Sequence, residues 1–148
     1  ANVPANIIAH CKAVSRFAIK IADIVEARGL KIDRDAVRAA AMLHDVKKLS
    51  PKDHEIAGAE YIKSLGFPQV AEIIRRHGLT RLSNRDFMPK TWEEKIVFYA
   101  DKRVKDDKVV SIEERFKYIR ERYNIKEIDE EYRITKEIEK ELVQNEKC

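Results

Sequence analysis

Apolar residues recur at steps of three and four along most of this chain, and the intervals between these stretches contain glycine, proline or aspartate. Such spacing places the apolar side chains on one face of an α-helix. Seven stretches of this kind predict helices over residues 6–27, 34–44, 54–66, 67–78, 91–104, 112–123 and 129–144. Asp33 is a suitable N-cap for the second helix, and Thr91 with Glu94 forms a capping box for the fifth.

No segment shows the sustained alternation of apolar and polar residues that is typical of a half-buried strand. Residues 79–90 have no period and carry turn residues, so they predict a loop. The chain has no internal repeat and no low-complexity linker. Its 148 residues suit one compact domain with a sizeable core. The sequence therefore predicts an all-α fold of about seven helices.

The composition of the chain indicates its cellular compartment and the classes of partner that it can bind. Charged residues make up 38% of the chain, but both signs are interleaved and the net charge is only +4, which gives little support to nucleic-acid binding. The two cysteines, Cys11 and Cys148, form no disulfide framework, so we expect a reducing compartment and a cytoplasmic location. No apolar run approaches the roughly 20 residues that cross a bilayer. Because the chain begins at Ala1, we expect either a trimmed start or a piece of a longer protein.

Five of the predicted helices each carry a histidine or an acid in register with their apolar residues. Leaving such groups in an apolar interior without partners is costly, because their bonds to water are lost. The residues are His10, His44, His54, His77 and Asp101, and Asp45 follows His44 directly.

Two interpretations of these residues are open. A single histidine on an apolar face is usually a core side chain bonded to a backbone carbonyl. All four histidines of the chain share this placement, however, and two acids join them. Imidazoles and carboxylates without a thiolate form a ligand set that suits Fe, Mn, Co, Ni or Zn. We expect Cys11 to pack in the core.

At these residues the chain resembles the HD-domain metal-dependent phosphohydrolases. Their pattern is a first histidine, an adjacent His-Asp pair and a distant aspartate, which correspond here to His10, His44 with Asp45, and Asp101. The resemblance covers about residues 4–105. Two further histidine segments of the binuclear branches are similar to HEIAGAEYI and IIRRHG. Within those branches, the chain most resembles bacterial HD proteins that cleave dinucleoside polyphosphates symmetrically.

The resemblance implies two divalent ions, with Fe, Mn, Co or Ni expected and Mg or Zn as alternatives. The residues implied for the first ion are His10, His44, Asp45 and Asp101. His54 and His77 would hold the second ion, with Asp45 bridging. A metal-bridging hydroxide would then attack phosphorus in line. The implied catalytic residues are Asp45 and Lys48, and the implied substrate-binding residues are Lys48, Arg76 and Arg81. A solvated surface is an equal alternative for the two arginines, and we expect Lys102 and Arg103 to be exposed.

The function implied by this resemblance is hydrolysis of a phosphate ester or anhydride of a small molecule, which we expect to be a nucleotide. Alternatives are a di-iron oxygenase of the same superfamily, a nucleotide-sensing regulatory module, and a helical adaptor without metal. Residues 1–105 would form the HD core, and the helices of residues 106–148 would pack on that core or on a second subunit of a homodimer. Three tyrosines of these helices would either line a base pocket or, as we favour, pack in the core: Tyr118, Tyr123 and Tyr132. We expect no membrane partner.

Overall fold

The chain is described by a computed structural model over residues 3–46, 54–79, 82–123 and 127–143. Within these ranges it has seven α-helices and one short hairpin, which confirms the predicted all-α class. The helices are α1 (Ala5–Glu26), α2 (Arg34–Leu43), α3 (His54–Ser64), α4 (Pro68–Arg75), α5 (Trp92–Lys102), α6 (Ile112–Tyr123) and α7 (Asp129–Val143). None of the described helices is both long and apolar enough to cross a membrane.

The predicted helix starts agree with the structure where it can be examined. Asp33 accepts a hydrogen bond from the Ala36 N–H at 3.0 Å and so caps α2. Both halves of the Thr91–Glu94 capping box are present at the start of α5. These caps satisfy backbone N–H groups that have no partner within the helix.

Two helices end earlier than their apolar pattern predicts. Helix α2 ends at Leu43 and α4 ends at Arg75, so His44 and His77 lie beyond the last helical residues. Each imidazole turns back and donates from Nδ1 to a backbone carbonyl three residues earlier. A side chain thus satisfies a carbonyl that a continuing helix would have used.

The prediction that the chain has no strand is wrong at one place. Strands β1 (Val104–Lys105) and β2 (Lys108–Val109) pair antiparallel across a two-residue turn. Asp106 in this turn adopts a left-handed conformation, with φ of 58°. Two-residue strands are too short to show the alternation over four or more residues by which a strand is recognised in sequence.

One continuous hydrophobic core joins the helices. Helix α1 packs against α2 and α5, α2 packs against α4, and α3 packs against α4. Helix α7 closes the bundle against α1 and α5, and Leu142 of α7 and Phe116 of α6 are both fully buried in the same core. The boundary expected at residue 105 stays a prediction.

Polar contacts fasten the C-terminal helix to the rest of the bundle. Lys95 of α5 forms an ion pair with Glu141 of α7 at 2.7 Å. The Tyr99 hydroxyl donates to Glu139 at 2.6 Å, and burial together with this carboxylate raises the pKa of Tyr99. Helix α7 is thus held to α5 by charged groups as well as by its apolar stripe.

The α5 cap provides a test of the fold. Replacing Thr91 with Ala removes the oxygen that accepts from the Glu94 N–H, and we expect a loss of about 1 kcal/mol of unfolding free energy. Urea denaturation measures this change. Thr91→Ser keeps the oxygen and should remain close to wild type. Equal losses in both variants would show that the methyl group, and not the cap, matters at this position.

Candidate metal centre

The structure brings together all six side chains that the sequence singled out as metal ligands. His10 lies in α1, His54 begins α3 and Asp101 lies in the last turn of α5. His44, Asp45 and His77 occupy the short turns that follow α2 and α4. His44, Asp45, His77 and Asp101 are buried, whereas His10 and His54 are partly exposed. Five elements therefore converge on one polar cluster in a bundle that is otherwise apolar.

The carboxylate of Asp45 lies between two groups of imidazoles. Its Oδ2 is 3.3 Å from Nε2 of His44 and 3.7 Å from Nε2 of His10. Its Oδ1 is 3.3 Å from Nε2 of His54 and 3.7 Å from Nε2 of His77. Each oxygen thus faces a different pair of rings, which is the arrangement of a bridging carboxylate.

Asp101 completes the first of these groups. Its Oδ1 lies 3.0 Å from Nε2 of His10 and 3.2 Å from Nε2 of His44. Three protein ligand atoms, from two imidazoles and Asp101, therefore surround a small volume that Oδ2 of Asp45 also faces. In the described part of the chain, three groups of ligand atoms could hold a metal: one with His10, His44 and Asp101, one with Asp45, His54 and His77, and one with Cys11, His44 and Asp45. The first two groups contain all six residues that the sequence singled out.

Every histidine in the cluster directs Nε2 inward because its Nδ1 is held by an acceptor on the other side. In the neutral imidazole, such a partner fixes the tautomer, placing the hydrogen on Nδ1 and leaving the lone pair on Nε2 for a metal. The acceptors are the Asp106 carbonyl for His10 (2.7 Å), the Ala41 carbonyl for His44 (2.7 Å), the Ile74 carbonyl for His77 and the Glu55 carboxylate for His54 (3.2 Å).

The geometry of the group formed by Asp45, His54 and His77 is suitable for a cation. Nε2 of His54 and Nε2 of His77 are 3.3 Å apart, and both carry lone pairs if Nδ1 holds the hydrogen on each ring. Two facing lone pairs repel unless a proton or a metal ion lies between them. Ligand bonds of about 2.1 Å give ligand-to-ligand edges of about 3.0 Å in an octahedron and 3.4 Å in a tetrahedron. The separations across both groups lie in or near this range.

The charges of the cluster also favour a cation. Burial by itself would raise the pKa of Asp45, but the neighbouring His44, His54 and His77 hold that pKa well below its ordinary value. Burial likewise acts against ionisation of Asp101, yet Lys102 and His44 lower its pKa strongly. Two ionised carboxylates therefore stand in a buried site, which requires compensating positive charge.

The histidines respond to these carboxylates in different ways. Burial lowers the pKa of His44, but Asp45 and Asp101 outweigh burial and raise that pKa well above its ordinary value. For His77, burial prevails and lowers the pKa. In the absence of a metal, a proton is therefore drawn to the His10–His44–Asp101 group, where it competes with metal binding.

Lys102 contradicts the expectation that it is exposed. Its side chain is buried, and its Nζ donates to Oδ2 of Asp101 at 2.6 Å and to the carbonyl of His77 at 3.0 Å. Arg103 is half-buried instead of exposed, and its guanidinium donates to the Tyr99 hydroxyl and the Val110 carbonyl. Lys102 thereby orients the Asp101 carboxylate and links the end of α5 to the turn that carries His77.

Glu55 is a further residue that the sequence analysis did not identify. Its buried carboxylate holds Nδ1 of His54 and lies against Gly78, where a Cβ atom would come within 2.7 Å of Oε1. Only glycine leaves room for this acid beside the turn after α4. A glutamate directly after a candidate histidine, together with a glycine directly after another, is the signal that could have indicated this pair.

Only one of the three expected substrate-binding residues lies within the described part of the chain. Lys48 and Arg81 lie outside the described residues. Arg76 is described, and its guanidinium forms ion pairs with Glu94 at 2.8 Å and with Glu72 at 2.9 Å. In this arrangement Arg76 links the end of α4 to the start of α5, so its role in substrate binding stays a prediction.

Cavities give access to the cluster. One of about 600 Å³ has mainly apolar walls and is lined by Ile8, Cys11, Met42 and Asp45 among others. Another of about 420 Å³ reaches the cluster at His10 and Asp45. The expectation that Cys11 packs in the core agrees with its burial, although its Sγ also lies 3.8 Å from Nδ1 of His44.

Comparisons with known proteins bear on this arrangement. Residues 7–106 match the family described as HD domain. An uncharacterized protein of Methanocaldococcus jannaschii is 34% identical over 130 residues, which cover 79% of this chain and 77% of that protein. The tRNA (cytidine(56)-2'-O)-methyltransferase of Picrophilus torridus is 32% identical over 149 residues, which cover 92% of this chain but 41% of that protein. No solved structure matches this chain.

Removing the second group of histidines tests whether the centre holds two ions. We expect the double variant His54→Ala, His77→Ala to bind one divalent ion fewer per chain, because Asp45 is then the only ligand left in that group. Metal analysis by mass spectrometry after dialysis against Mn²⁺ measures the content. Asp45→Asn, which weakens both groups, should lower the content further. An unchanged content in the double variant would contradict a two-ion centre.

Glu55 can be tested through the histidine that it holds. Loss of such an outer partner typically lowers metal affinity about 10–100-fold, and we expect Glu55→Ala to weaken binding at the Asp45–His54–His77 group by this amount. Glu55→Gln keeps an acceptor oxygen for Nδ1 of His54 and should recover part of the loss. A metal titration that separates two binding steps provides the measurement. Equal affinities in the two variants would mean that the carboxylate does not act through His54.

Proposed function

Because the chain belongs to the HD-domain family, we propose that it is a phosphohydrolase that cleaves a phosphate ester or anhydride of a small molecule, in particular a nucleotide. HD domains bind divalent metals and are in general metal-dependent hydrolases.

The main support for the proposal is that the two carboxylate oxygens of Asp45 face two different groups of imidazoles. One oxygen faces His10 and His44, and the other faces His54 and His77. Divalent ions held by these residues would supply an activated water and positive charge for an in-line displacement at phosphorus. Asp45 would contribute one carboxylate oxygen to each of the two groups.

The side chains of the centre suit an anionic substrate. Imidazoles complete the two groups as neutral ligands, so Asp45 and Asp101 contribute the only negative charge among the six ligands. Lys102 offsets part of that charge through its contact with Asp101. A set with more carboxylates would repel a phosphate group, whereas this one leaves the positive charge of the ions largely uncompensated.

The cavity at His10 and Asp45 supports a small phosphorylated substrate over the oxygenase alternative. Its volume of about 420 Å³ lies in the range of small-molecule sites, and Lys105 and Arg115 are among its lining residues. Cations beside the centre would bind the oxygens of a phosphate. The relative from Picrophilus torridus is named a tRNA methyltransferase, and the match covers 41% of that protein. RNA is therefore a second class of substrate worth testing.

A phosphate-release screen tests the proposal. Purified protein is analysed for bound metal and then assayed with Mn, Fe, Co, Ni or Mg against nucleoside mono-, di- and polyphosphates, dinucleoside polyphosphates and a short RNA. We expect release from at least one nucleotide. If metal is bound and no substrate releases phosphate or a nucleotide product, the oxygenase or sensor alternative becomes the better explanation.

The role of Asp45 in turnover gives a matched prediction. Asp45→Asn is nearly isosteric but removes the charge that faces both groups, so we expect activity to fall by more than the roughly 100-fold that an outer partner can account for. Asp35→Asn removes a carboxylate that is 98% exposed and should leave turnover unchanged. Steady-state kinetics on the best substrate of the screen measures both. Full activity in Asp45→Asn would place catalysis elsewhere.

A further inference from the structure

One wall of the cavity that reaches His10 and Asp45 carries two basic side chains, one at the end of the segment that matches the HD family and one beyond it. Lys105 belongs to β1, whereas Arg115 and Tyr118 belong to α6. The match to the HD family ends at residue 106, so α6 is an addition to the family core. The same cavity nevertheless contains metal-centre residues at one side and side chains of α6 at another.

The two cations of this wall are poorly neutralised. Within the described part of the chain, no carboxylate pairs with the Arg115 guanidinium, whose Nε donates to the Val104 carbonyl at 3.3 Å. Nζ of Lys105 lies 3.9 Å from Asp106, but that carboxylate is 83% exposed. Water screens an exposed acid of this kind, and the same holds for the exposed Asp107 at the rim. The carboxylates of Asp45, Asp106 and Asp107 line the same cavity, but none of the three forms an ion pair with Arg115, so its guanidinium is available to an anion.

Tyr118 holds the cations in place. Nζ of Lys105 lies 4.4 Å from the centroid of the ring, and Cζ of Arg115 lies 5.9 Å from it, both within the range of cation–π attraction. The position of Lys105 over the Tyr118 ring limits which chemical groups this wall can bind. A nucleobase would have to displace Lys105 in order to stack on that face, whereas an anion can bind Lys105 and Arg115 as they stand.

Building on the proposed function, we propose that Lys105 and Arg115 form a subsite for a second anionic group of the substrate. The preferred substrates then carry a further phosphate next to the one that is cleaved, as nucleoside diphosphates and polyphosphates do. Arg115 offers its terminal N–H groups to that phosphate while its Nε stays on the Val104 carbonyl. Selectivity thus comes from β1 and α6 together, and the HD ligands act on the phosphoryl group that is cleaved.

Binding of two non-hydrolysable probes tests this subsite without relying on turnover. Methylphosphonate has one anionic group and methylenediphosphonate has two. Isothermal titration calorimetry with the full chain at saturating Mg²⁺ gives a Kd for each. We expect wild type to bind the diphosphonate at least about tenfold more tightly, as charge-assisted hydrogen bonds of ordinary strength imply.

The variants separate this subsite from a general charge effect. Arg115→Met and Lys105→Met should each lose most of the preference while the Kd for methylphosphonate stays within about twofold. Lys117→Met removes an exposed cation from the same helix outside the cavity and should keep the preference. Within the described residues, the Lys105 side chain makes no hydrogen bond to a backbone group, so its variant remains informative even if Arg115→Met folds poorly.

The outcomes distinguish this inference from the proposed function. A wild-type protein without a preference, a preference that survives in both variants, or an equal loss in Lys117→Met would overturn the subsite. Release of phosphate from p-nitrophenyl phosphate, which has a single anionic group, would in those cases still support hydrolysis. A preference that depends on Lys105 and Arg115, in a protein that releases no phosphate, would support the subsite and count against the proposed function.

Discussion

A buried carboxylate that serves two groups of imidazoles is the constraint on which this structure depends. Asp45 is 5% exposed, and its oxygens lie close to four ring nitrogens that come from four different elements. A charge in such a place destabilises the fold unless partners surround it. The turns after α2 and α4 and the first turns of α3 therefore have to meet at one point. The apolar core provides most of the folding free energy, but the surroundings of Asp45 restrict how the helices can be arranged.

Helix α5 connects this polar centre to the fold at both of its ends. At its start, Glu94 accepts from the backbone of its own cap and pairs with Arg76 from the end of α4. At its other end, Asp101 enters the cluster and Lys102 reaches the carbonyl of His77. The turn that carries His77 is thus held by polar contacts to both ends of one rigid helix, which is how a side chain outside regular structure can be fixed in position.

Periodicity predicts the seven helices and five of the six converging side chains, because inward-facing polar groups stand out against an apolar stripe. Asp45 is identified instead by its place beside His44 in the HD pattern. It failed where the deciding contact is tertiary. Lys102 follows Asp101 and looks like a surface residue in sequence, yet it is buried because it pairs with that acid and caps a distant turn. The hairpin at β1 and β2 is too short to leave a pattern. The histidines after α2 and α4 were predicted as helical because an imidazole that caps a carbonyl has the same spacing as one inside the helix.

The distances along the chain between the ligands have a consequence for folding. His10 and Asp101 are 91 residues apart, and the carbonyl that orients His10 is 96 residues away. The unfolded chain does not hold these residues together, so an ion that binds them all favours the native state and thermodynamic linkage applies. At a free metal concentration of 100 times Kd, one such site adds about 2.7 kcal/mol to stability. An ion bound at these residues would therefore raise the free energy of unfolding of this chain.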